Sequence, residues 1–291
     1  MRNIAFLFIL LLLLSCSDVI ELDLSEAPPS LVVEGEINNR DGRHIIKLSL
    51  SRPFFETDDF SHVTADQIRL YQNNQLVALY TDTDVVGEYQ VNFRGNLINR
   101  YHVEIDLPND FPLAELAGQT IISTQERIWP VPAIDQVNLE FRSNSIFSEE
   151  GYYLSLNMTD NPNRDDFYRW RVRVNGQRIG GLDGFIFTSD ELFRGNELRN
   201  INMNDDPLEV GDTVLIEQMS ITSGFYDYLS LVFEQLSRQG GFFETQPANA
   251  RGNFSVKNSG DSPVILGYFN AAAIVRVEAT IDPENFEVRT R

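Results

Sequence analysis

The chain has 291 residues and a formal net charge of −20 at pH 7, with 43 acidic residues against 23 lysines and arginines. A surface this acidic repels nucleic acid, and no basic cluster is evident that would offset it, so we expect no nucleic-acid partner. The length suffices for two sizeable hydrophobic cores.

The first residues follow the plan of a secretory signal. Arg2 precedes an unbroken apolar run, residues 4–14, which as a helix would cover about 16 Å, or half of a bilayer core. The sequence LLSC at 13–16 resembles a bacterial lipobox, in which the cysteine is acylated. We therefore predict a signal peptide over 1–15 and a lipid anchor on Cys16, the single cysteine, as the chain's attachment to the membrane. The alternative is a buried cysteine behind an ordinary signal.

An acidic segment follows Cys16. Residues 16–29 alternate acids with aliphatic residues and end in Pro28 and Pro29. Such a composition is typical of a tether that packs poorly, and we interpret 16–29 as a lipidated acidic tether. The same alternation is also compatible with a first strand, and both interpretations stay open.

Residues 30–128 carry the pattern of short strands. The segments LVVEGEIN from Leu31 and HIIKLSLS from His44 alternate apolar and polar residues, as half-buried strands do. The turn residues NNRDG between them and the pair Asn73-Asn74 predict hairpins. Seven or so such strands indicate a β-sandwich of the immunoglobulin-like or transthyretin-like kind.

A proline-rich joint at 129–133 separates this region from a second β domain, predicted over 134–291. Within it we expect a long hairpin formed by 152–159 and 167–179. A helix near 224–238 is predicted from one apolar stripe and a possible cap at Ser223. The fold prediction is therefore all-β, two β-sandwich domains with one amphipathic helix in the second. The stripe consists of Phe225, Tyr228, Leu229, Val232 and Leu236.

The order of several blocks resembles a known family. The lipobox is followed by LVVEGEI, the joint WPVPAIDQV, the helix, and then PANARGNFS and VILGYFNAAA. This order is similar to Bacteroidota outer-membrane lipoproteins of domain-of-unknown-function family 4249. Gly252 and Asn253, with Gly267, Tyr268 and Phe269, match the recurrent carboxyl-terminal pattern of that family, which has no established catalytic residues.

The resemblance also implies a function. Members tend to be encoded beside TonB-dependent receptors, which implies an accessory role in nutrient uptake with such an outer-membrane receptor as partner. The expected location is the outer membrane, lipid-anchored, on the cell surface or the periplasmic face. Two alternatives remain: an adhesion or scaffold lipoprotein of the envelope, and a surface hydrolase.

The sequence carries no recognisable catalytic motif. It lacks Gly-x-Ser-x-Gly, His-Glu-x-x-His and phosphate-binding glycine loops. We therefore predict no enzyme activity, no catalytic residues and no cofactor. The turn DNPNRDD offers oxygen ligands for calcium in Asp160, Asn163, Asp165 and Asp166, although Asx residues form such turns without a metal.

Exposed aromatic residues on loops are the candidates for contact with a partner or ligand. Such side chains give contact area at low entropic cost. Phe242 and Phe243 could instead pack the exit of the helix. The candidates are Phe54, Phe55 and Phe60 in one loop and Phe242 and Phe243 after the helix.

Overall fold

The computed structural model describes residues 28–52, 61–237, 250–260 and 262–291. These residues form nineteen strands, one α-helix and a short 3-10 turn at Leu182–Gly184, which confirms the predicted all-β fold with a single helix. No helix of the described part is long and apolar enough to cross a membrane. The strands are β1 (Leu31–Asn38), β2 (Gly42–Leu50), β3 (Gln67–Gln72), β4 (Gln75–Leu79), β5 (Thr81–Asp82), β6 (Glu88–Phe93), β7 (Arg100–Asp106), β8 (Thr120–Ser123), β9 (Glu126–Arg127), β10 (Gln136–Arg142), β11 (Gly151–Thr159), β12 (Phe167–Val174), β13 (Gln177–Arg178), β14 (Ile186–Ser189), β15 (Glu197–Asn202), β16 (Thr213–Ile221), β17 (Phe254–Val256), β18 (Leu266–Thr280) and β19 (Val288–Thr290), and the helix is α1 (Ser223–Ser237).

The two predicted hairpins of the first region are confirmed. β1 pairs antiparallel with β2, and β3 pairs antiparallel with β4. Asn73 and Asn74 sit at the second turn with φ of 48° and 67°. Asparagine tolerates this left-handed conformation better than most residues, which is why the pair makes a tight turn here.

Three sheets are present in the described residues. The largest has ten strands, with the main order β13-β12-β16-β18-β1-β2-β6-β5. Its long strand β18 pairs in parallel with β1 through its first half and antiparallel with β16 through its second half. A six-stranded sheet has the main order β17-β8-β7-β3-β4, and a three-stranded sheet has the order β10-β11-β15. One sheet therefore runs through both predicted regions.

Two large cores lie against this sheet. The first is enclosed by the six-stranded sheet and includes Leu31, Tyr101 and also Phe269 from β18. The second lies between β12 and β11 and includes Trp170 and Leu154. Residues from near the end of the chain thus complete the first core, while the division of the chain at 129–133 stays a prediction.

The predicted long hairpin of 152–159 and 167–179 is wrong. β11 pairs with β10 and β15, whereas β12 pairs with β16, β14 and β13. Leu156 on β11 and Trp170 on β12 both point into the second core. The two strands carry apolar faces that pack across a core, so they belong to facing sheets instead of one ladder.

Helix α1 covers the other face of the large sheet and confirms the predicted helix. Phe225 and Leu229 of the stripe are buried against Tyr268 and Met219. Leu236 is 54% exposed, so the stripe does not stay buried along its whole length. The side-chain cap is Thr222 and not Ser223, because the Thr222 Oγ1 accepts a hydrogen bond of 3.3 Å from the Phe225 backbone N–H.

Candidate functional site

Several predicted site residues lie outside the described ranges. They are the lipidation candidate Cys16 and the aromatic contact candidates Phe54, Phe55, Phe60, Phe242 and Phe243. Their roles remain predictions.

The calcium candidates lie in a turn in which arginines pair with two of the aspartates. The Arg164 Nε lies 2.5 Å from Asp166 Oδ1, and Arg194 forms an ion pair with Asp165. Asp160 accepts hydrogen bonds from the Tyr168 hydroxyl and the Gly195 backbone. These donors take up oxygen atoms that a cation would need.

The fourth candidate, Asn163, donates its backbone N–H to Asn161 Oδ1 at 3.0 Å. This is the local Asx bond that shapes turns without a metal. Within the described ranges, no group of three or more histidine, cysteine, aspartate or glutamate side chains could hold a metal ion.

A cleft of about 410 Å³ lies between α1 and the outer face of the large sheet. We call it the arginine cleft. Its volume falls within the usual range of small-molecule sites, roughly 300–1,000 Å³. It combines charged side chains on the strands with aromatic and aliphatic side chains, most of which lie on the helix. The lining residues are Glu34, Gly35, Glu36, Ile45, Lys47, Arg169, Arg178, Phe185, Phe225, Tyr228, Leu229, Val232, Tyr268 and Asn270.

Strand β12 supplies the arginine at the floor of this cleft. Its sequence FYRWRVRV alternates, and Trp170 is buried in the second core. Because successive side chains of a strand point to opposite faces, Arg169, Arg171 and Arg173 share the face toward α1. A single strand thereby places three cations in a row.

Arg171 forms ion pairs with two carboxylates. Its Nη atoms contact both carboxylate oxygens of Glu36 at 3.1 and 3.0 Å, and its Nε lies 3.0 Å from Glu217. Arg276 binds the other oxygen of Glu217 at 2.6 Å. Burial raises the pKa of Glu36, but Arg171 outweighs burial and holds that pKa below its ordinary value. These four charges therefore neutralise one another.

Arg169 is not paired in this way. Its side chain is 9% exposed, its Nε has no hydrogen-bond partner, and no carboxylate among the described residues forms an ion pair with it. Its guanidinium lies 5.6 Å from the ring of Phe225. Burial, together with the charge of Arg171, lowers the pKa of Arg169 to about 10, so the group stays protonated at neutral pH.

Aromatic rings from α1, from β18 and from the segment before β14 line the cleft. The ring centroids of Phe225 and Tyr268 are 4.9 Å apart, and those of Tyr228 and Tyr268 are 5.1 Å apart. Phe185 adds a further ring from the segment before β14. Such surfaces accept flat apolar groups, so the cleft has a cationic floor and an aromatic wall.

Tyr268 also connects the cleft to a buried carboxyl group. Its hydroxyl donates to Glu126 at 2.9 Å, and Thr222 and Thr124 donate to the same side chain. Asn253 lies 3.5 Å from Glu126 and exchanges two hydrogen bonds of 2.9 Å with the backbone of Phe269. Burial raises the pKa of Glu126 despite these donors. We call this cluster the Glu126 junction.

The residues behind the family resemblance lie at this junction. Gly267 has φ of +81°, and a Cβ there would lie 2.1 Å from the carbonyl oxygen of Val33. A Cβ on Gly252 would lie 2.3 Å from the carbonyl oxygen of Gly267. Both positions therefore require glycine, and with Asn253 and Tyr268 they hold β18, β9 and the start of α1 together.

The arginine cleft was missed by the sequence analysis, which recorded no basic cluster. One signal was available: Arg169, Arg171 and Arg173 occur at every second position of an otherwise apolar strand. Glu36 and Phe225 give no such signal, because long stretches of sequence separate them from β12. Chemically, the cleft can bind an anion through Arg169 and an apolar body through its rings.

A second depression, of about 550 Å³, lies at the far end of β12 and β13. Its lining is mainly polar, and Asn175 and Asp212 there bond to each other at 2.8 Å. It shares Arg178 with the arginine cleft but has no buried unpaired charge in its lining. The arginine cleft is therefore the stronger candidate site.

Comparison with known proteins gives one positive finding. No curated protein and no solved structure matches the chain significantly. Residues 17–277 match the model of the family described as "Domain of unknown function (DUF4249)". That match covers most of the chain, and this protein therefore belongs to the DUF4249 family.

Proposed function

We propose that this protein is a lipid-anchored outer-membrane protein that binds a small ligand in the arginine cleft. In this proposal it acts by binding and not by catalysis, as an accessory of a TonB-dependent nutrient receptor. The observation that carries the binding role is Arg169, a cation that is 9% exposed and unpaired among the described residues at the floor of a cleft.

The argument for a bound ligand is the energetic cost of burying the charge of Arg169 without a partner. Removing an ion from water costs several kcal/mol in proteins unless a partner compensates it. The neighbouring Arg171 has two carboxylate partners, whereas Arg169 has the ring of Phe225. A cation–π contact offsets only part of that cost, about 1–2 kcal/mol. A ligand that supplies the missing counter-charge explains why the site keeps an arginine.

The proposed location is supported by the sequence of the first residues. An apolar run ends at Leu14, directly before Ser15 and Cys16. Two or three acyl chains at the cysteine would make a stable anchor, since each buried CH₂ contributes about 0.8 kcal/mol. The receptor partnership is supported by the family resemblance alone.

The anchor is tested by Cys16→Ala. We expect the variant to lose labelling by a fatty-acid probe and to leave the outer-membrane fraction, because the acylated thiol is gone. Ser25→Ala is the matched control and should behave like the wild type. A Cys16→Ala protein that still partitions with the outer membrane would refute the anchor.

The receptor contact is tested by pull-down of the full chain from native outer membrane. The predicted contact is Phe54 and Phe55, two adjacent aromatic residues in an acid-rich segment. We expect the wild type to recover a TonB-dependent receptor and Phe54→Ser/Phe55→Ser to recover much less. Equal recovery would exclude this loop as the contact, and no receptor with either protein would contradict the accessory role.

A second candidate function, an adhesion or scaffold protein, is favoured by a different observation. Ile146 and Phe147 are 90% and 91% exposed in the turn between β10 and β11. An adjacent pair of apolar side chains this exposed offers a surface that a protein partner could cover. The Ser145 hydroxyl accepts the backbone N–H groups of Phe147 and Ser148 and so orders this turn. Loss of an envelope partner in Ile146→Ser/Phe147→Ser, with ligand binding intact, would support this alternative.

A further inference from the structure

We infer that the ligand of the arginine cleft is an organic anion: a carboxylate or phosphate group joined to a flat apolar body. Arg169 would hold the anionic group, and Phe185, Phe225 and Tyr228 would pack on the body. This inference rests on the proposed binding function and names its ligand class.

The first argument is the local balance of charge. Glu36 and Glu217 are neutralised by Arg171 and Arg276, so they offer no surplus negative charge to the cleft. Lys47 lies 3.5 Å from Glu88, which offsets its charge in the same way.

What remains is Arg169 at the floor and Arg178, which lines the cleft from the exposed strand β13, against the exposed Glu34. The cleft therefore has a positive surplus within a chain whose net charge is −20. A local field of this sign selects anions and opposes cationic ligands.

The second argument is the geometry of the guanidinium. A guanidinium presents its donors as a planar fork, which fits the two oxygens of a carboxylate or phosphate. The Arg169 Nε has no hydrogen-bond partner, so the fork keeps a free donor. Because the group is largely withdrawn from water, a bond to an anion there is stronger than one at the surface.

The third argument concerns the body of the ligand. The wall opposite the strands consists of rings and of the aliphatic side chains of Leu229 and Val232 on α1. A free inorganic anion would leave this wall in contact with water, and a neutral apolar molecule would leave Arg169 without a counter-charge. A molecule with both parts satisfies both surfaces.

The test is isothermal titration of the full chain, purified in detergent, with matched probes. Indole-3-acetate and phenyl phosphate carry both parts, indole-3-acetamide lacks the charge, and acetate and inorganic phosphate lack the body. We expect one of the first two to bind at least about tenfold more tightly than all three incomplete probes.

Arg169→Gln removes the charge but keeps hydrogen-bond donors. We expect it to weaken binding of the anionic probe at least about 30-fold, the usual consequence of losing one partner of a buried charge pair. Arg173→Gln is the matched control, since Arg173 is exposed further along the same face of β12 and does not line the cleft. It should bind as the wild type does.

A second variant covers the case in which Arg169→Gln misfolds. Val232→Glu places a carboxylate on the half-buried wall of the cleft, where it competes for Arg169. We expect it to abolish binding of the anionic probe while the thermal unfolding curve stays cooperative. Unchanged binding in a folded Val232→Glu protein would overturn the assignment of the site.

Two outcomes separate the ligand class from the binding function. If the amide binds as well as the acid, or if a neutral compound is retained from a cell extract and identified by mass spectrometry, the anion class is wrong and the binding function stands. If no probe binds and no compound is retained from the extract, both are wrong.

Discussion

The Glu126 junction and the arginine cleft both bury an ionisable side chain without an oppositely charged partner, and they solve that problem differently. Glu126 is 4% exposed and is surrounded by neutral donors: Thr222, Thr124 and Tyr268. Arg169 is 9% exposed and faces an aromatic ring and the open space of a cleft. Tyr268 touches both, because its hydroxyl binds Glu126 while its ring lines the cleft.

The difference follows from the chemistry of the two groups. A buried carboxyl group can become neutral by taking a proton, and burial does raise the pKa of Glu126. The pKa of Arg169 falls only to about 10, so it remains charged at any physiological pH. The junction can therefore be complete within the chain, whereas the cleft needs a counter-charge from outside it.

The largest effect on the free energy of unfolding should come from removing Arg171, which pairs with both Glu36 and Glu217. Arg171→Met leaves the carboxylates of Glu36 and Glu217 with fewer cationic partners in a poorly hydrated place. We expect the free energy of unfolding to fall by about 3–5 kcal/mol, as for other buried pairs that lose one member. Urea denaturation followed by circular dichroism measures it. A loss below 1 kcal/mol would show that water already screens this network.

The pH dependence of the free energy of unfolding should reveal the raised pKa of Glu126 at the junction. An unfolded glutamate titrates near pH 4.3, and the folded pKa of Glu126 is higher. Between the two values the native state holds more protons than the unfolded state, so stability is highest at the acid end of this window and falls as pH rises through the folded pKa. The loss should be about 1.4 kcal/mol for each unit by which the pKa is raised.

Glu126→Gln cannot titrate and should lack this part of the pH profile. Thermal unfolding of the wild type and the variant from pH 4 to 8 measures the difference. Glu149→Gln, at an exposed position just before β11, is the control and should keep the wild-type slope. Parallel profiles for the wild type and Glu126→Gln would mean that Glu126 is ionised throughout.

The two regions also differ in how far the sequence predicts them. Alternation in LVVEGEIN, the Asn73-Asn74 turn and the helical stripe at Phe225 and Leu229 are local signals, and they predict the all-β fold and its helix. The junction is partly visible in the sequence, since Gly267 and Tyr268 match a family pattern. Its partner Glu126 lies far away along the chain and carries no signal of its own.

Local sequence patterns do not predict the cleft or the strand pairing around it. The parallel pairing of β1 with β18 places Gly35 opposite Phe269. Neither segment carries a sequence pattern that identifies the other as its partner. The hairpin of β11 and β12 was predicted wrongly for the same reason: their alternation shows that each has an apolar face but not which strand lies beside it. Arginines at alternate positions of β12 showed a charged face, while its burial under α1 is a tertiary feature.

The smallest expected change in stability tests most directly the contrast between the Glu126 junction and the arginine cleft. Arg169→Met keeps the length and apolar stem of the side chain and removes a charge that has no carboxylate partner among the described residues. If the arginine is kept for a ligand, its loss should relieve the cost of burying that charge, less the contact with Phe225. We expect the unfolding free energy without ligand to rise by about 1 kcal/mol, or roughly 2–4 °C in Tm. Arg173→Met, at the exposed end of the same face, should change the unfolding free energy by less than about 0.5 kcal/mol.

An Arg169→Met protein that loses more than about 2 kcal/mol would instead show that the arginine stabilises the fold by itself. The two buried charges would then both be structural, and the contrast between a completed junction and an open cleft would fail.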